Sequence, residues 1–510
     1  MKLAAGAKNG FVAVAWGLSL VLAGCGGDQA PPPPPPAPVP VARPAALAPK
    51  VEPKPTAEEL AKKQAAIEAA ATKTLRDFGA AVQANESGQV IHVNLLNHPR
   101  CNDEALEPLK SLKSVVALDL RGTKISDEAL TIVGGLELLE ELYLGNTAIT
   151  DVGLEKLKSL EKLKVLNLVG TKVSDAGVIG LVNELKGLKS VNLLKTEVTD
   201  AGVRGLLGLE DLEVLVLPPA ATDESLAMAA ELKKLRVLWA IETKVTDEGL
   251  LKLALLDGLR ELDLSQTSVT LDGVLNLAQR RKETSIAFPK GLWAGGVLTL
   301  NAAASDGDMP VLGKHVELTA LALQATPVTD AGLQPLRSLV NLESLALPPT
   351  ATDASLDVLY VINELHNLTL AGATITDEGA KKLERLTKLQ SLSLIRTRVG
   401  DRAMDSIGKL GDLKSLWLDQ TGVGDAGLRS LVGLKQLELL SLRESAVTDE
   451  GLSSLVSLQN LKQLSLGWNR VGGGSLEPFK ALKQLEELDL IGTQVSAAQA
   501  AELKQALPKC

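Results

Sequence analysis

Aromatic residues make up only 2% of this 510-residue chain, so an interior built on rings is excluded and the core must be aliphatic. Cysteine is nearly absent. Cys25, Cys101 and Cys510 are too few and too far apart for a disulfide framework. They supply no zinc spacing either, since His98-x-x-Cys101 is a lone half-motif. Positive charge is not in excess. The formal net charge is −9 with no basic cluster, which argues against a nucleic-acid surface. No phosphate-binding glycine loop, nucleophile elbow or Ser/His/Asp spacing occurs. No catalysis, metal, cofactor or small-molecule substrate is therefore expected. Long hydrophobic runs are missing too: Phe11–Ala23 is apolar for 13 residues, too short to span a bilayer.

What the chain has in abundance is one unit, repeated. In Leu413–Leu437, Leu416 and Leu418 alternate with Ser415, Trp417 and Asp419, the period of a strand with one buried face. A turn through Thr421 buries Val423, and Leu428, Leu431 and Leu434 then mark a short helix. One such unit cannot bury its own leucines, so it exists only stacked on neighbours. The second strand leucine recurs at Leu95, Leu120, Leu144, Leu168, Leu193, Leu217, Ala240, Leu264, Phe288, Leu300, Leu323, Leu347, Leu370, Leu394, Leu418, Leu442, Leu466 and Leu490. The steps are 23 to 25 residues, with a single step of 12 between Phe288 and Leu300.

Two polar columns keep the same register. A threonine stands three residues after the marker, at Thr123, Thr147 and Thr171 and on to Thr493, where its hydroxyl can satisfy turn backbone from repeat to repeat. An aspartate stands seven after it: Asp127, Asp151, Asp175, Asp200, Asp247, Asp330, Asp377, Asp401, Asp425 and Asp449. A calcium ladder would need about six to eight oxygens per ion, far more than one carboxylate per repeat provides. These aspartates are read as N-caps, since a carboxylate there meets free N–H groups and the positive end of the helix dipole.

The pattern L-x-L-x-x-T-x-V-T-D-x-G-L resembles the cysteine-containing type of leucine-rich repeat, over roughly residues 90–510. That resemblance implies an α/β solenoid of about 17 repeats, a curved right-handed superhelix with a parallel sheet on the concave face and short helices on the convex one. It also implies protein binding on the concave face. The F-box that eukaryotic members often carry is missing.

The segments outside the repeats have their own signatures. Lys2 and Lys8, the apolar stretch and Leu22-Ala23-Gly24-Cys25 follow one another in the order that resembles a bacterial lipoprotein signal, residues 1–24. The resemblance implies cleavage before Cys25, lipidation of Cys25, and a place in the bacterial cell envelope; Gly26 favours the outer membrane. Residues 25–55 form the anchor and a proline-rich spacer. Residues 56–89 are expected to form a helical N-terminal cap, opened by Thr56-x-x-Glu59 and striped by Leu60, Ile67, Ala71, Leu75, Phe78 and Val82. Leu217-Pro218-Pro219 and Leu347-Pro348-Pro349 interrupt sheet hydrogen bonding 130 residues apart. Segment 284–316 breaks the pattern, as a bulge or kink between two arcs or as a partner-binding loop; Asp306 and Asp308 there form a weak D-x-D cation signal. Cys101 is read as a small core residue, and Cys510 as the start of a last edge strand.

On the concave face the central column is mostly small or polar, and Tyr143, Trp239 and Trp417 stand out. Outward-pointing rings in an aromatic-poor chain are candidate partner anchors, or else they pack on neighbouring strand residues with no ligand. Acidic spots at Asp119 with Glu141, Asp263 with Glu261 and Asp489 with Glu487 suggest a basic partner region. Two functions remain: a non-catalytic envelope lipoprotein that binds a protein or glycan, or a structural spacer with no specific ligand.

Overall fold

A computed structural model describes residues 56–472, 476–507 and 509–510; the leader, Cys25 and the proline-rich segment lie outside them. Two units separate between Leu60 and Ala61. In the first, Thr56 Oγ1 accepts from the Glu59 amide at 3.2 Å and Glu59 Oε2 accepts from the Thr56 amide at 2.8 Å, the expected reciprocal cap of the helix Ala57–Phe78.

The second unit is built on a 20-stranded sheet among the described residues. From Val90–Asn94 to Glu261–Asp263, and again from Val297–Leu300 to Glu487–Asp489, each strand pairs in parallel with the next. The register is the one read from the marker leucines: Asp119 opposes Tyr143, Trp239 opposes Asp263, and Trp417 opposes Ser441. Leu118, Leu142, Leu416 and Leu440 point inward and are fully buried in one continuous aliphatic core. Cys101 lies in that core, and burial pushes its thiol up to about 11, so it stays an unreactive filler near neutral pH.

Three parts of the sequence reading are corrected. Helix Ala57–Phe78 uses only its C-terminal half as a cap: Ala71 and Leu75 are buried, whereas Leu60 and Ile67 are exposed. Capping is completed by an unforeseen strand, Ala81–Ala84, antiparallel to Val90–Asn94. Cys510 does not begin a strand; it is half-buried after a turn.

The largest correction concerns 284–316. Its first half is regular sheet, not irregular chain. Strand Gly291–Ala294 runs antiparallel between Ser285–Phe288 and Val297–Leu300, so the sheet passes through the irregularity without a gap. Pro289-Lys290 makes the first turn. Gly295 and Gly296, both left-handed, make the second, as a two-residue hairpin of the type with two positive φ values requires. Two reversals restore the chain direction in 12 residues, which is why the marker step is halved. On the helix side the insertion is bridged by His315, buried in the column otherwise held by leucines such as Leu339. Gln279 Nε2 donates to His315 Nδ1 at 2.9 Å, which puts the ring proton on Nε2, 3.2 Å from Asp272 Oδ1. Asp306 and Asp308 are taken up in the same region. Asp306 accepts from the Thr329 amide and hydroxyl, and Asp308 from Lys290 and Ser305, so the D-x-D is not an open cation site.

The aspartates are not the expected N-caps. Asp151, Asp175, Asp200, Asp247, Asp377, Asp401 and Asp425 are first helical residues, while Asp127, Asp330 and Asp449 lie in the turn leading into the helix. The cap is the preceding hydroxyl: Thr150 Oγ1 accepts from the Val152 amide. The aspartate instead reaches into the next repeat. Asp127 Oδ1 accepts from the Thr150 amide at 2.8 Å and Oδ2 from the Thr150 hydroxyl at 2.6 Å. The pattern continues through Asp151 with Ser174, Asp223 with Thr246 and Asp425 with Thr448. The glycine of T-D-x-G then has a reason: a Cβ on Gly153 would lie 2.4 Å from Asp127 Oδ1. The threonine column is mostly local, with Thr123, Thr147, Thr171 and Thr326 each donating to its own marker carbonyl at 2.6–2.8 Å, whereas Thr350 donates to the Val328 carbonyl of the preceding repeat. Near the C-terminal end Ser445 and Asn469 also reach back a full repeat, to the Leu418 and Leu442 carbonyls.

Candidate functional site

Because side chains alternate along a strand, packing Leu118 or Leu416 inward turns the residues on either side of it outward. The outward face of the sheet therefore carries every predicted partner-binding residue: Tyr143, Trp239, Trp417, Asp119, Asp263 and Asp489. They do not converge on one spot. They form three groups along the sheet, and these differ in electrostatics.

In the first group, Asp119 is only 8% exposed and is held side-on by Arg121, with Nε at 3.0 Å from Oδ1 and Nη2 at 2.6 Å from Oδ2. The Arg121 guanidinium lies 5.2 Å from the Tyr143 ring centroid, and the Tyr143 hydroxyl donates to Glu141 Oε2 at 3.0 Å. The Asp119 half of the predicted acidic spot is thus paired with a cation that the sequence reading passed over, while Glu141 takes the Tyr143 hydroxyl. Burial, followed by the Glu141 carboxylate, pushes the Tyr143 hydroxyl up to about 12. A raised acid pKa means that the folded state binds more protons than the unfolded one between about pH 10 and 12, so stability falls as pH rises through that window. Ultraviolet titration of tyrosine ionisation should show a step near 12 in the native protein that Tyr143→Phe removes.

The third group resembles the first. Asp489 pairs with Arg443 at 2.7 Å and accepts from Ser465 Oγ at 2.9 Å. Asp419 accepts from the Arg443 amide at 2.8 Å and from the Ser441 hydroxyl. Trp417 is half-buried beside them. Trp468, missed in the sequence because it lies outside the central column, is 58% exposed with a φ of 62° and its ring lies over Gly492. A bulky residue held in the left-handed region costs roughly 1–2 kcal/mol.

The second group is different. Trp239 donates its indole N–H to Glu261 Oε1 at 2.9 Å, and Asp263 is its register neighbour. Among the described residues, neither carboxylate has a cationic partner. Next to Trp239 on the other side lies Val216, which is 3% exposed although it faces outward and is no part of the core cluster. Trp239 therefore lies between a buried valine on one side and an acidic pair on the other.

A profile of the leucine-rich repeat matches residues 136–158 and 159–182, two of the stacked coils. The fold is that of a leucine-rich-repeat solenoid. No curated protein matches the chain in sequence. A leucine-rich-repeat protein of Leptospira interrogans is similar in structure, at 21% identity and a TM-score of 0.39, over 79% of this chain and 91% of that one. An internalin from Listeria monocytogenes is 20% identical with a TM-score of 0.31, over 84% and 95% of the two chains. The leucine-rich-repeat ectodomain of an Arabidopsis thaliana membrane receptor kinase, solved in complex with Casparian strip integrity factor 2, is 17% identical with a TM-score of 0.35, over 78% and 56%.

In this leucine-rich-repeat solenoid, backbone polarity is also consumed at the rim. Residues two past the marker adopt left-handed φ, as at Asn146 and Arg396, and their amides carry the ladder one rung beyond the strands. Pro219 and Pro349 occupy this position in their repeats, have no amide to give, and end the extra rung there.

Proposed function

We propose that this solenoid is a non-catalytic binding module of the bacterial envelope, anchored through a lipidated Cys25, and that it holds a protein partner on the outward face of its sheet. The observation that carries the reading is the Trp239 group: an indole held by Glu261 beside a buried valine, next to two carboxylates with no cationic partner among the described residues. Rigid aromatic anchors lose little side-chain entropy on binding, which makes them the usual centres of protein interfaces. Leucine-rich-repeat proteins are generally interaction scaffolds rather than catalysts. The lipoprotein-like leader and proline-rich spacer support presentation of that face at a membrane. No described helix is long and apolar enough to cross one.

The test is capture from a membrane extract by the purified chain. Trp239→Ala combined with Trp417→Ala should reduce capture at least about tenfold with an unchanged melting temperature, since neither ring belongs to the core cluster. Equal capture by wild type and variant would favour an inert spacer instead. In the same cells, Cys25→Ser should move the protein from the detergent phase to the aqueous phase of a partition experiment.

A further inference from the structure

We propose that the strip of sheet from Val214 to Asp263 receives a polypeptide segment bearing a lysine or arginine flanked by apolar residues, with the cation seated against Trp239 between Glu261 and Asp263. The inference rests on the sheet-face reading above and gives the partner its chemistry.

Four observations lead to it. The outward and rim positions here include Leu194, Val214, Val216, Val237 and Ile241, an aliphatic cluster in which Val216 is buried and the others are half-buried. A contiguous apolar patch of this kind on a soluble face marks an interaction site. Its border is acidic and unpaired. Asp119 and Asp489 are both bound by arginines of their own chain, whereas Glu261 and Asp263 have no cationic partner among the described residues. Next, the indole N–H is committed to Glu261, which fixes the ring and leaves its π-face as the feature to be recognised. Neighbouring strands are about 4.8 Å apart, so Trp239 and its register neighbour Asp263 lie within reach of one ammonium or guanidinium group. Finally, the aliphatic cluster offers no donors or acceptors to sugar hydroxyls, and its acidic border repels nucleic acid and anionic lipid. An arginine or lysine between aliphatic side chains satisfies every element at once.

The experiment uses the full chain and three soluble peptides, acetyl-Thr-Val-Arg-Ile-Thr-amide and its analogues with glutamine or glutamate at the centre, followed by tryptophan fluorescence and calorimetry. The arginine peptide should bind about tenfold tighter than the glutamine peptide, and the glutamate peptide should not bind measurably. The Glu261→Gln/Asp263→Asn variant, checked for native circular dichroism, should lose the arginine preference. Equal binding of the arginine and glutamine peptides, no binding of the arginine peptide, or an unchanged preference in the variant would each overturn the inference. If Trp239→Ala combined with Trp417→Ala still reduced capture from the extract, the sheet-face reading would survive that failure. Loss of both results would remove the two together.

Discussion

Gly379→Ala is expected to lower the unfolding free energy by about 2–4 kcal/mol, far more than a methyl group added to a helix normally costs. A Cβ at this position would lie 2.0 Å from Asp353 Oδ1 and 2.6 Å from its Cγ. The carboxylate cannot simply yield, because it is fixed at both oxygens: Oδ1 accepts from the Thr376 amide at 2.8 Å and Oδ2 from the Thr376 hydroxyl at 2.5 Å. Moving it forfeits two hydrogen bonds to a charged acceptor, each worth roughly 1.5–3 kcal/mol, partly offset by alanine's helix propensity. Those bonds join one repeat to the next, so the loss falls on the interface that makes an array cooperative. A double-mutant cycle checks the cause. Asp353→Ala should be destabilising alone, but Gly379→Ala should cost almost nothing on top of it, because the obstacle is gone. Additive losses in chemical denaturation would mean that the carboxylate is not what excludes a side chain. The chain contains its own controls. Where Ala403 replaces the glycine, the preceding cap is Gly400 and the carboxylate of Asp377 keeps only the amide bond. Where Ser225 replaces it, the repeat is one residue shorter and the serine hydroxyl itself donates to Asp200 at 2.5 Å.

This ladder also shows how far the sequence could be read. Strand register was legible because a buried leucine two residues from another leaves only one choice of inward face, and no strand slips from the positions given by the marker leucines. The role of Asp127 was not legible, although its components were in view. Its partner Thr150 lies 23 residues ahead, and reading T-D-x-G within one unit assigns the carboxylate to its own helix end. Only stacking brings the threonine and glycine of the next unit against it. The functional face was half legible for a similar reason. Period two places Tyr143, Trp239 and Trp417 outward, but charge cancellation depends on side-chain reach. Arg121 folds back on Asp119 two residues away, whereas Arg443 reaches past the one intervening strand to Asp489, and neither pairing follows from spacing. Trp468 escaped because the left-handed rim position, not the strand, sets its exposure.

Gly291→Val is expected to divide the solenoid's unfolding into two transitions. Every strand pairing between the N-terminal and C-terminal runs of the sheet passes through Gly291–Ala294, whose neighbours are Ser285–Phe288 and Val297–Leu300. A Cβ on Gly291 would lie 2.1 Å from the Thr299 carbonyl oxygen and 3.1 Å from the Leu300 Cα. These are backbone atoms, so no rotamer change relieves the overlap and the pairing of Gly291 with Leu300 must open. A parallel array transmits stability only through contact between neighbours, and opening this rung leaves the helix-side bridge of Asp272, Gln279 and His315 to couple the two runs. Calorimetry should then show two separated transitions where wild type shows one, and limited proteolysis should cut between Phe288 and Val297. Gly296→Asn serves as the control. Its φ of 82° suits asparagine among the non-glycine residues and nothing lies within 4 Å of its Cβ position, so the single transition should persist. A single cooperative transition in Gly291→Val would place the coupling between the runs on the helix side, in the His315 cluster, and make the sheet a passenger at this point.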